Sequence, residues 1–230
     1  MKKFLIAACL FALASASYAG VADRFKSNVG GASKSDAENY ARDIGLIAGM
    51  NDFHDGKAVD TFGFDVGVSG NFLMPSNKLD DKNVFIPMLY GSVKIPILGL
   101  NIAARGTSFE QLTSVGGGLK WSVLGNTILP FFPDITVGAF YDRMSTDYYN
   151  IDHLSASISA SVKVLMLEPY VGAGYDYSRM SVNGGGTASK GGTRLTGGVN
   201  FHILPVVYVF GAYVYAGDTK AVQVGAGARF

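Results

Sequence analysis

The sequence has little charge and few chemically reactive side chains. Only 16% of its 230 residues are charged, against about 25% in an ordinary soluble domain. Cysteine occurs once, and the three histidines are too scattered for a recognisable metal site. Lys+Arg 19 and Asp+Glu 18 nearly balance, which excludes the basic excess typical of nucleic-acid binding. We therefore predict no metal, no cofactor and no nucleic-acid partner.

Long hydrophobic runs are also missing from the body of the chain. A membrane-spanning helix needs ~20 consecutive apolar residues, and no such run occurs after the N-terminal region. Disorder is excluded as well, because 48% of the residues are hydrophobic and 12% are aromatic. The remaining class is a β-rich chain that is too apolar for water and too interrupted for membrane helices.

The first residues have the pattern of a secretory leader. Two lysines precede the apolar run Phe4–Ala14, and Ser17-Tyr18-Ala19 offers small residues where a signal peptidase cleaves. We predict a signal peptide over 1–19. Cys9 lies inside it in a sequence that superficially resembles a lipoprotein box, but the apolar run continues past it, which favours cleavage after Ala19 and a mature chain without cysteine.

From about residue 60 the chain alternates apolar and polar residues with period two, the pattern of half-buried strands. The stretch Leu154–Val164 shows it most clearly, with serines and a lysine on one face and aliphatic residues on the other. The predicted segments are 60–72, 84–95, 98–106, 112–124, 134–143, 153–165, 169–181, 193–203, 206–216 and 221–230.

The connections between these segments fall into two alternating kinds. Proline-containing and mostly short connections follow every second segment, and the others, such as Met144–Asp152 and Val182–Gly192, are polar and mostly longer. Short turns at one rim and longer loops at the other are typical of a transmembrane antiparallel up-and-down β-barrel. We predict such an all-β barrel of 10 strands over residues 60–230, with 12 strands as the alternative and both barrel termini at the periplasmic rim.

The composition of the polar face separates this barrel from a soluble sandwich or lipocalin-like barrel. A solvated face carries about 25–35% charged residues, whereas this face is mostly glycine and serine. We therefore expect the aliphatic rows to face lipid, with aromatic girdles at both interfaces. The charged residues expected to line the lumen are Asp65, Arg105, Lys120, Asp142, Lys163, Asp176, Arg194 and Arg229.

With its leader, its alternating strands and a last strand Val222–Phe230 that ends in an aromatic residue, the chain resembles a Gram-negative outer-membrane β-barrel protein. The resemblance implies that Phe230 is read by the barrel assembly machinery and that outer-membrane lipid and lipopolysaccharide surround the chain. The stretch Ser35–Phe64 is more faintly similar to uncharacterised barrels related to the long-chain fatty-acid transporter superfamily. No motif in it fixes a substrate.

Residues 20–59 form an N-terminal segment with a predicted helix at about 36–48. Ser35 and Glu38 have the spacing of a capping box. Tyr40, Ile44 and Ile47 lie on one apolar stripe, which makes the helix a candidate plug for the lumen. The alternatives are a short periplasmic helix, or an eleventh strand at Ile44–Asn51 paired with another at 56–59.

The inner wall is rich in glycine, which either leaves space for water, the helix or a ligand, or eases the curvature of a small barrel. Enzymatic chemistry has one weak candidate, because His153 and Ser155 share a strand face near several acids. We predict no enzyme and no catalytic residue.

The favoured function is passive passage or binding of a small hydrophobic or anionic molecule through a narrow lumen in the outer membrane. A non-transporting barrel in envelope structure or surface interaction is the alternative, and an outer-membrane lipid hydrolase is a distant third.

Overall fold

The computed structural model describes Ala22, Phe25 and residues 33–54, 63–74, 83–95, 100–124 and 132–230. The predicted leader at 1–19, the turns around Pro96 and Pro130, and the alternative strand at 56–59 lie outside the described residues. None of the helices in the described part of the chain is both long enough and apolar enough to cross a membrane.

The described chain runs through one N-terminal helix and then through strands that follow the predicted segments. The helix α1 is Lys34–Gly49. The strands are β1 (Phe64–Met74), β2 (Val84–Ile95), β3 (Leu100–Phe109), β4 (Leu112–Leu124), β5 (Asp134–Ser145), β6 (Tyr149–Ser161), β7 (Leu167–Val182), β8 (Thr187–His202), β9 (Val207–Ala216) and β10 (Thr219–Arg229).

The strands close into an antiparallel barrel in which each strand pairs with its neighbours in sequence and β1 pairs with β10. Closure leaves no unpaired sheet edge, which is the condition for strands to cross hydrocarbon. The predicted ten-stranded fold is confirmed. The eleventh strand considered at Ile44–Asn51 is wrong, because the backbone is helical up to Gly49 and the helical stripe is buried.

The outer surface of the barrel is apolar and the lumen is polar over much of its depth. In β1, Val66 and Val68 are 48% and 44% exposed, while the alternating Asp65 and Ser69 are 7% and 3% exposed. A soluble sandwich would bury the aliphatic rows against each other, so that alternative is wrong. Exposed aromatic residues gather toward both ends of the strands, and they include Trp121, Tyr141, Tyr177, Phe201, Tyr215 and Phe230.

The barrel has two rims. We call the rim where β1 begins and β10 ends the terminal rim, and there Phe230 exchanges backbone hydrogen bonds of 2.9 and 3.0 Å with Phe64. At the opposite rim the strands run further than the sequence indicated. β6 begins at Tyr149 and β8 begins at Thr187. The predicted long loops Met144–Asp152 and Val182–Gly192 are therefore wrong. Polar residues continue the strand ladder there, through the pairs Ser145↔Asn150 and Ser181↔Thr187.

Candidate functional site: the occupied lumen

The helix α1 lies inside the barrel. It contacts β1, β6, β7 and β8, and the side chains of Tyr40, Ile44 and Ile47 are at most 1% exposed. The three residues of the predicted stripe therefore all face the inner wall. The helix begins at Lys34, slightly earlier than the predicted 36–48.

The helix cap differs from the predicted one. Ser33, not Ser35, is the N-cap, and its hydroxyl accepts from the Asp36 backbone N–H at 3.2 Å while the Asp36 carboxylate accepts from the Ser33 N–H at 3.0 Å. The predicted box at Ser35 and Glu38 is wrong. An aspartate at the third helical position completes the reciprocal bonds that the rule assigns to glutamate or glutamine, so the helix gains half a turn.

Toward the opposite rim the helix stripe sits in an apolar layer. Tyr40 hydroxyl lies 2.9 Å from Tyr149 hydroxyl, and both rings pack against Phe25. The wall residues of this apolar layer are Leu73, Val84, Ile86, Met88, Leu112, Met144, Ile151, Met180 and Val214, all of which are buried. Fully burying an aliphatic side chain stabilises by about 1.5–3 kcal/mol, so this layer supplies most of the apolar contact between the helix and the wall.

The segment descends from the opposite rim toward the middle of the barrel. Near its start, Lys190 Nζ donates to Asn39 Oδ1 at 2.5 Å. One turn later, Arg42 Nη2 donates to Thr219 Oγ1 at 3.0 Å. Gly45 then passes very close to the wall, where an added Cβ would collide with Ser178 Oγ and lie 2.6 Å from His153 Nδ1. Only a residue without a side chain permits this approach.

Below the helix, Asp52 is held by two arginines of the wall. Arg105 Nη1 and Arg194 Nη2 reach its two carboxylate oxygens at 2.8 and 2.6 Å, and Ser155 Oγ donates at 2.9 Å. Each arginine also pairs with a wall carboxylate, Arg105 with Asp142 at 2.6 Å and Arg194 with Asp176 at 3.0 Å. We call Asp142, Arg105, Asp52, Arg194 and Asp176 the charge chain. All five residues are buried.

The ionisation of Asp52 follows from these partners. Burial alone would raise the pKa of this carboxyl group, but the positive charges of Arg194 and Arg105 outweigh it and lower the pKa to about 2. Asp52 is therefore ionised at neutral pH. A buried carboxylate is stable only when it is paired and hydrogen-bonded in this way.

The residues on either side of Asp52 are also fixed by the wall. Asn51 Oδ1 accepts from Ser69 Oγ at 2.6 Å and from Gln223 Nε2 at 2.9 Å. The ring of Phe53 occupies the space that a Cβ at Gly172 would need. No local pattern marks Asn51, Asp52 and Phe53, because they follow the end of the amphipathic stripe.

His54 is the last described residue of this segment and it is 3% exposed. Its ring lies 4.2 Å from the Tyr90 ring and 4.4 Å from the Phe210 ring, measured between centroids. Burial, followed by the charges of Lys120 and Arg229, lowers the pKa of His54 well below its ordinary value. The imidazole is therefore neutral at neutral pH. Among the described residues, neither ring nitrogen has a hydrogen-bond partner.

The structure places the predicted lumen residues as follows. Asp65 pairs with Arg229 at 2.9 Å near the terminal rim, and Lys120 lies on the inner face of β4 with its ammonium 5.7 Å from the centre of the Phe140 ring. Arg105, Asp142, Asp176 and Arg194 belong to the charge chain. The prediction that Lys163 lines the lumen is wrong, because β6 ends at Ser161 and Lys163 lies exposed in the following turn.

Most of the glycine-lined wall is covered by aromatic side chains of neighbouring strands. The ring of Phe140 lies where a Cβ at Gly118 would stand, and Phe210 and Tyr208 do the same at Gly225 and Gly227. Tyr208 and Phe210 were missed, because both faces of β9 are apolar and the alternation there does not mark the inner side. The glycines thus admit large rings as well as the N-terminal segment.

His153 and Ser155 do not form a nucleophile and base pair. Ser155 donates to Asp52, whereas His153 Nδ1 lies 3.0 Å from Ser178 Oγ. Both are buried beside the N-terminal segment. Within the described residues, no group of three or more His, Cys, Asp or Glu side chains is placed to hold a metal ion.

A closed antiparallel barrel with an apolar outer band, aromatic residues toward both ends and a polar interior defines an outer-membrane β-barrel protein. The outer membrane is therefore the location of this chain.

No protein-family model matches the sequence, and the search of curated proteins finds no match. Among solved structures, the chain is similar to the Neisserial surface protein A at 17% identity, covering 75% of this chain and 98% of that one, with a TM-score of 0.36. It is also similar to Omp33 of Acinetobacter baumannii at 13% identity, covering 74% and 98%, with a TM-score of 0.37. A third similar structure is the KdgM porin in complex with disordered oligogalacturonate, at 8% identity, covering 72% and 99%, with a TM-score of 0.41.

Proposed function

We propose that this barrel binds a small hydrophobic or anionic molecule, or lets it pass, and that residues 33–54 are a displaceable plug. The observation that carries the proposal is the charge chain. If Asp52 leaves, Arg105 keeps Asp142 and Arg194 keeps Asp176, so the wall is left with two complete ion pairs. An open lumen therefore contains no arginine of the charge chain without a carboxylate partner. Leaving such a buried charge uncompensated would cost about 3–5 kcal/mol.

The direction of the plug determines which rim its first residues reach. Its N-terminal end lies at the opposite rim, beside Tyr149 and Lys190, whereas the strand that follows it begins at the terminal rim. With the terminal rim in the periplasm, the start of the plug faces the cell exterior. An epitope tag inserted before Ser33 is then detected on intact cells together with a tag in the turn 183–186, and a tag in the turn 203–206 only after permeabilisation.

Planar-bilayer conductance of the refolded full chain tests the passage. We expect the wild-type protein to open rarely, Asp52→Asn to open much more often, and Asp218→Asn to behave as wild type, because Asp218 is exposed in the turn between β9 and β10. If wild type and Asp52→Asn both stay silent while migrating as folded barrels on gels, the passage proposal fails.

One observation favours the alternative, a non-transporting barrel of envelope structure or surface interaction. The apolar layer around Tyr40, Ile44 and Ile47 is buried as thoroughly as the core of a soluble protein, so opening exposes apolar surface. A silent protein whose deletion changes envelope integrity or surface attachment would support this role. We do not propose the lipid hydrolase, because Ser155 is bonded to the plug.

The chemistry of the outer surface supports two proposed partners. We propose that lipopolysaccharide contacts Arg143 and Arg179, which are exposed on either side of Asp152 in the register of β5, β6 and β7. We also propose that the assembly machinery reads the last strand, where Phe230 is 58% exposed. The faint similarity of Ser35–Phe64 to fatty-acid transporter-like barrels remains a proposal about ancestry. Its support is limited to the position of the helix inside the barrel.

A further inference from the structure

Two neighbouring turns at the terminal rim consist of apolar residues apart from one lysine. The first, 162–166, joins β6 to β7, and the second, 203–206, joins β8 to β9. We call them the apolar turns. Lys163 is the only charged residue in either turn. Leu165 is 90% exposed and Leu204 is 54% exposed, and the other exposed apolar residues of the two turns are Val164, Met166, Ile203 and Val206.

The described turns at the opposite rim have a different composition. They carry polar or charged residues, namely Glu110, Gln111, Asp147, Asn183 and Asp218. Polar turns are usual where a chain meets water, whereas exposed apolar patches mark sites of contact with membranes or other proteins. The difference between the rims indicates that the apolar turns do not face water.

Leu165 has a backbone conformation that does not suit a leucine. Its φ is +57°, in the left-handed region that favours glycine, asparagine and aspartate because an ordinary side chain is crowded there. Among the described residues, the two others of this kind, Glu110 and Gln111, are polar. A residue that costs local stability and exposes its side chain is expected to contribute through a contact outside the chain.

The peptide groups of the apolar turns are bonded within the barrel. Val164 and Leu167 exchange backbone hydrogen bonds of 2.7 and 3.0 Å. Met166 C=O accepts from His202 N–H at 2.8 Å, and Val206 C=O accepts from Arg229 N–H at 2.8 Å. A protein segment that extends a sheet needs unpaired peptide groups, whereas lipid requires paired ones. The bonding therefore favours lipid as the contact.

The apolar turns also continue the lipid-facing surface of the strands. On β7, Val171 and Leu167 are 63% and 49% exposed, and on β8, Val199 and Phe201 are both 41% exposed. These rows lead directly into the two turns. At its other end, the outward row of β7 stops at the exposed Arg179, so the polar boundary present at the opposite rim is missing here.

We propose that the apolar turns insert into the periplasmic leaflet of the outer membrane. Leu165 and Leu204 lie among phospholipid acyl chains, and the long side chain of Lys163 brings its ammonium group to the phosphates of the headgroups. Insertion removes exposed apolar surface from water, which stabilises the terminal rim at a fixed depth in the leaflet. The inference concerns the outside of the barrel and does not depend on passage through the lumen.

Tryptophan fluorescence of the refolded full chain tests the insertion. Trp121→Phe removes the only tryptophan, and Leu165→Trp or Leu204→Trp then reports on one apolar turn. In vesicles of phosphatidylethanolamine and phosphatidylglycerol with brominated acyl chains, we expect both to be quenched several-fold more strongly than Asp218→Trp, the control in a polar turn. Leu204→Trp keeps the test decisive if Leu165→Trp does not migrate as a folded barrel. Equal quenching in folded apolar-turn variants and the control overturns the proposal.

Thiol labelling distinguishes lipid from a protein partner. With Cys9→Ser, the thiol of Leu165→Cys is labelled by a water-soluble maleimide in pure phospholipid nanodiscs and in native outer-membrane fragments, both of which expose two faces. We expect slow labelling in both, and fast labelling of Asp218→Cys in both. Fast labelling of Leu165→Cys in nanodiscs overturns the insertion, and protection in the native membrane alone would mean that a protein covers the turn.

Discussion

The two halves of the plug contact the wall in opposite ways. Toward the opposite rim, Ile44 and Ile47 pack into an apolar layer that makes few directional contacts. Toward the middle, Asn51 and Asp52 make short hydrogen bonds and ion pairs with named partners. Apolar burial stabilises without fixing a register, whereas buried polar contacts fix one arrangement and are costly in any other. The apolar half therefore holds the plug in the lumen, and the polar half sets its depth.

A buried thiol can report on both halves. Ala41→Cys introduces a small side chain at a position with no exposure, and a water-soluble maleimide reacts with it only when the plug leaves the lumen. The labelling rate then follows the population of the open form, so that about 1.4 kcal/mol of lost docking free energy corresponds to a tenfold faster reaction.

The largest effect is expected from the apolar half. Ile44→Ala removes a side chain that is 1% exposed, and such truncations cost about 2–5 kcal/mol. We expect labelling of Ala41→Cys to accelerate by at least about thirtyfold. Ser35→Ala, on the exposed start of the helix, is the matched control and changes little. Equal rates in the two variants would contradict the apolar layer as the main source of docking.

The polar half gives a smaller change of a different kind. Asp52→Asn loses two charge-assisted bonds, but both arginines retain wall carboxylates, so we expect a cost of about 1–3 kcal/mol. Labelling should accelerate less than in Ile44→Ala. If Asp52→Asn accelerates labelling more than Ile44→Ala does, the apolar half is not the main source of docking free energy.

Acid should loosen the polar half through His54. Because burial in the docked state keeps its pKa well below the ordinary value, the undocked plug binds a proton near pH 6.5 that the docked plug does not bind. Docking is therefore fully stable above about pH 6.5 and weakens by up to about 1.4 kcal/mol for each pH unit below it. The groups that face His54 include Tyr90, Asp52, Lys120, Arg105 and Arg229.

Asp52 adds a second and lower transition. Its pKa of about 2 in the folded protein is below its ordinary value of about 3.9, so its contribution is complete above about pH 4 and is lost as the pH falls toward 2. The readout is the labelling rate of Ala41→Cys divided by that of an exposed cysteine, Ser35→Cys, at the same pH, because the reactive thiolate fraction itself falls with pH. His54→Gln should remove the rise of this ratio between about pH 6.5 and 4 and leave the lower one. An unchanged pH profile in His54→Gln would show that another group is responsible.

The smallest effect is expected at the helix cap. Ser33→Ala removes the hydroxyl that accepts from Asp36 N–H, and loss of a cap typically costs about 1 kcal/mol. Labelling should rise several-fold. Ser35→Ala, at the position where the sequence pattern placed the cap, again serves as the control. A larger effect at Ser35 than at Ser33 would contradict the observed cap.

The sequence alone was sufficient for the number and order of the strands, but not for their ends at the opposite rim or for the contents of the lumen. The alternation in Leu154–Val164 reports which side chains face lipid, because lipid accepts only apolar ones, and the same physics applies to the whole barrel. What lies inside depends on contacts between residues far apart in the chain, such as Asp52 with Arg105 and Arg194. No local pattern encodes these contacts. The inward aromatics of β9 were hidden for a related reason, since both of its faces are apolar.

The most direct test of the occupied lumen is a cross-link between the plug and the wall in the native outer membrane. Asn39 of the plug and Lys190 of β8 are in direct contact, with Nζ 2.5 Å from Oδ1. The account predicts that a short bifunctional thiol reagent joins Asn39→Cys to Lys190→Cys and does not join Asn39→Cys to Ser189→Cys, because Ser189 is exposed on the opposite face of the strand. Free thiols in the first pair, in a protein that migrates as a folded barrel, would contradict it.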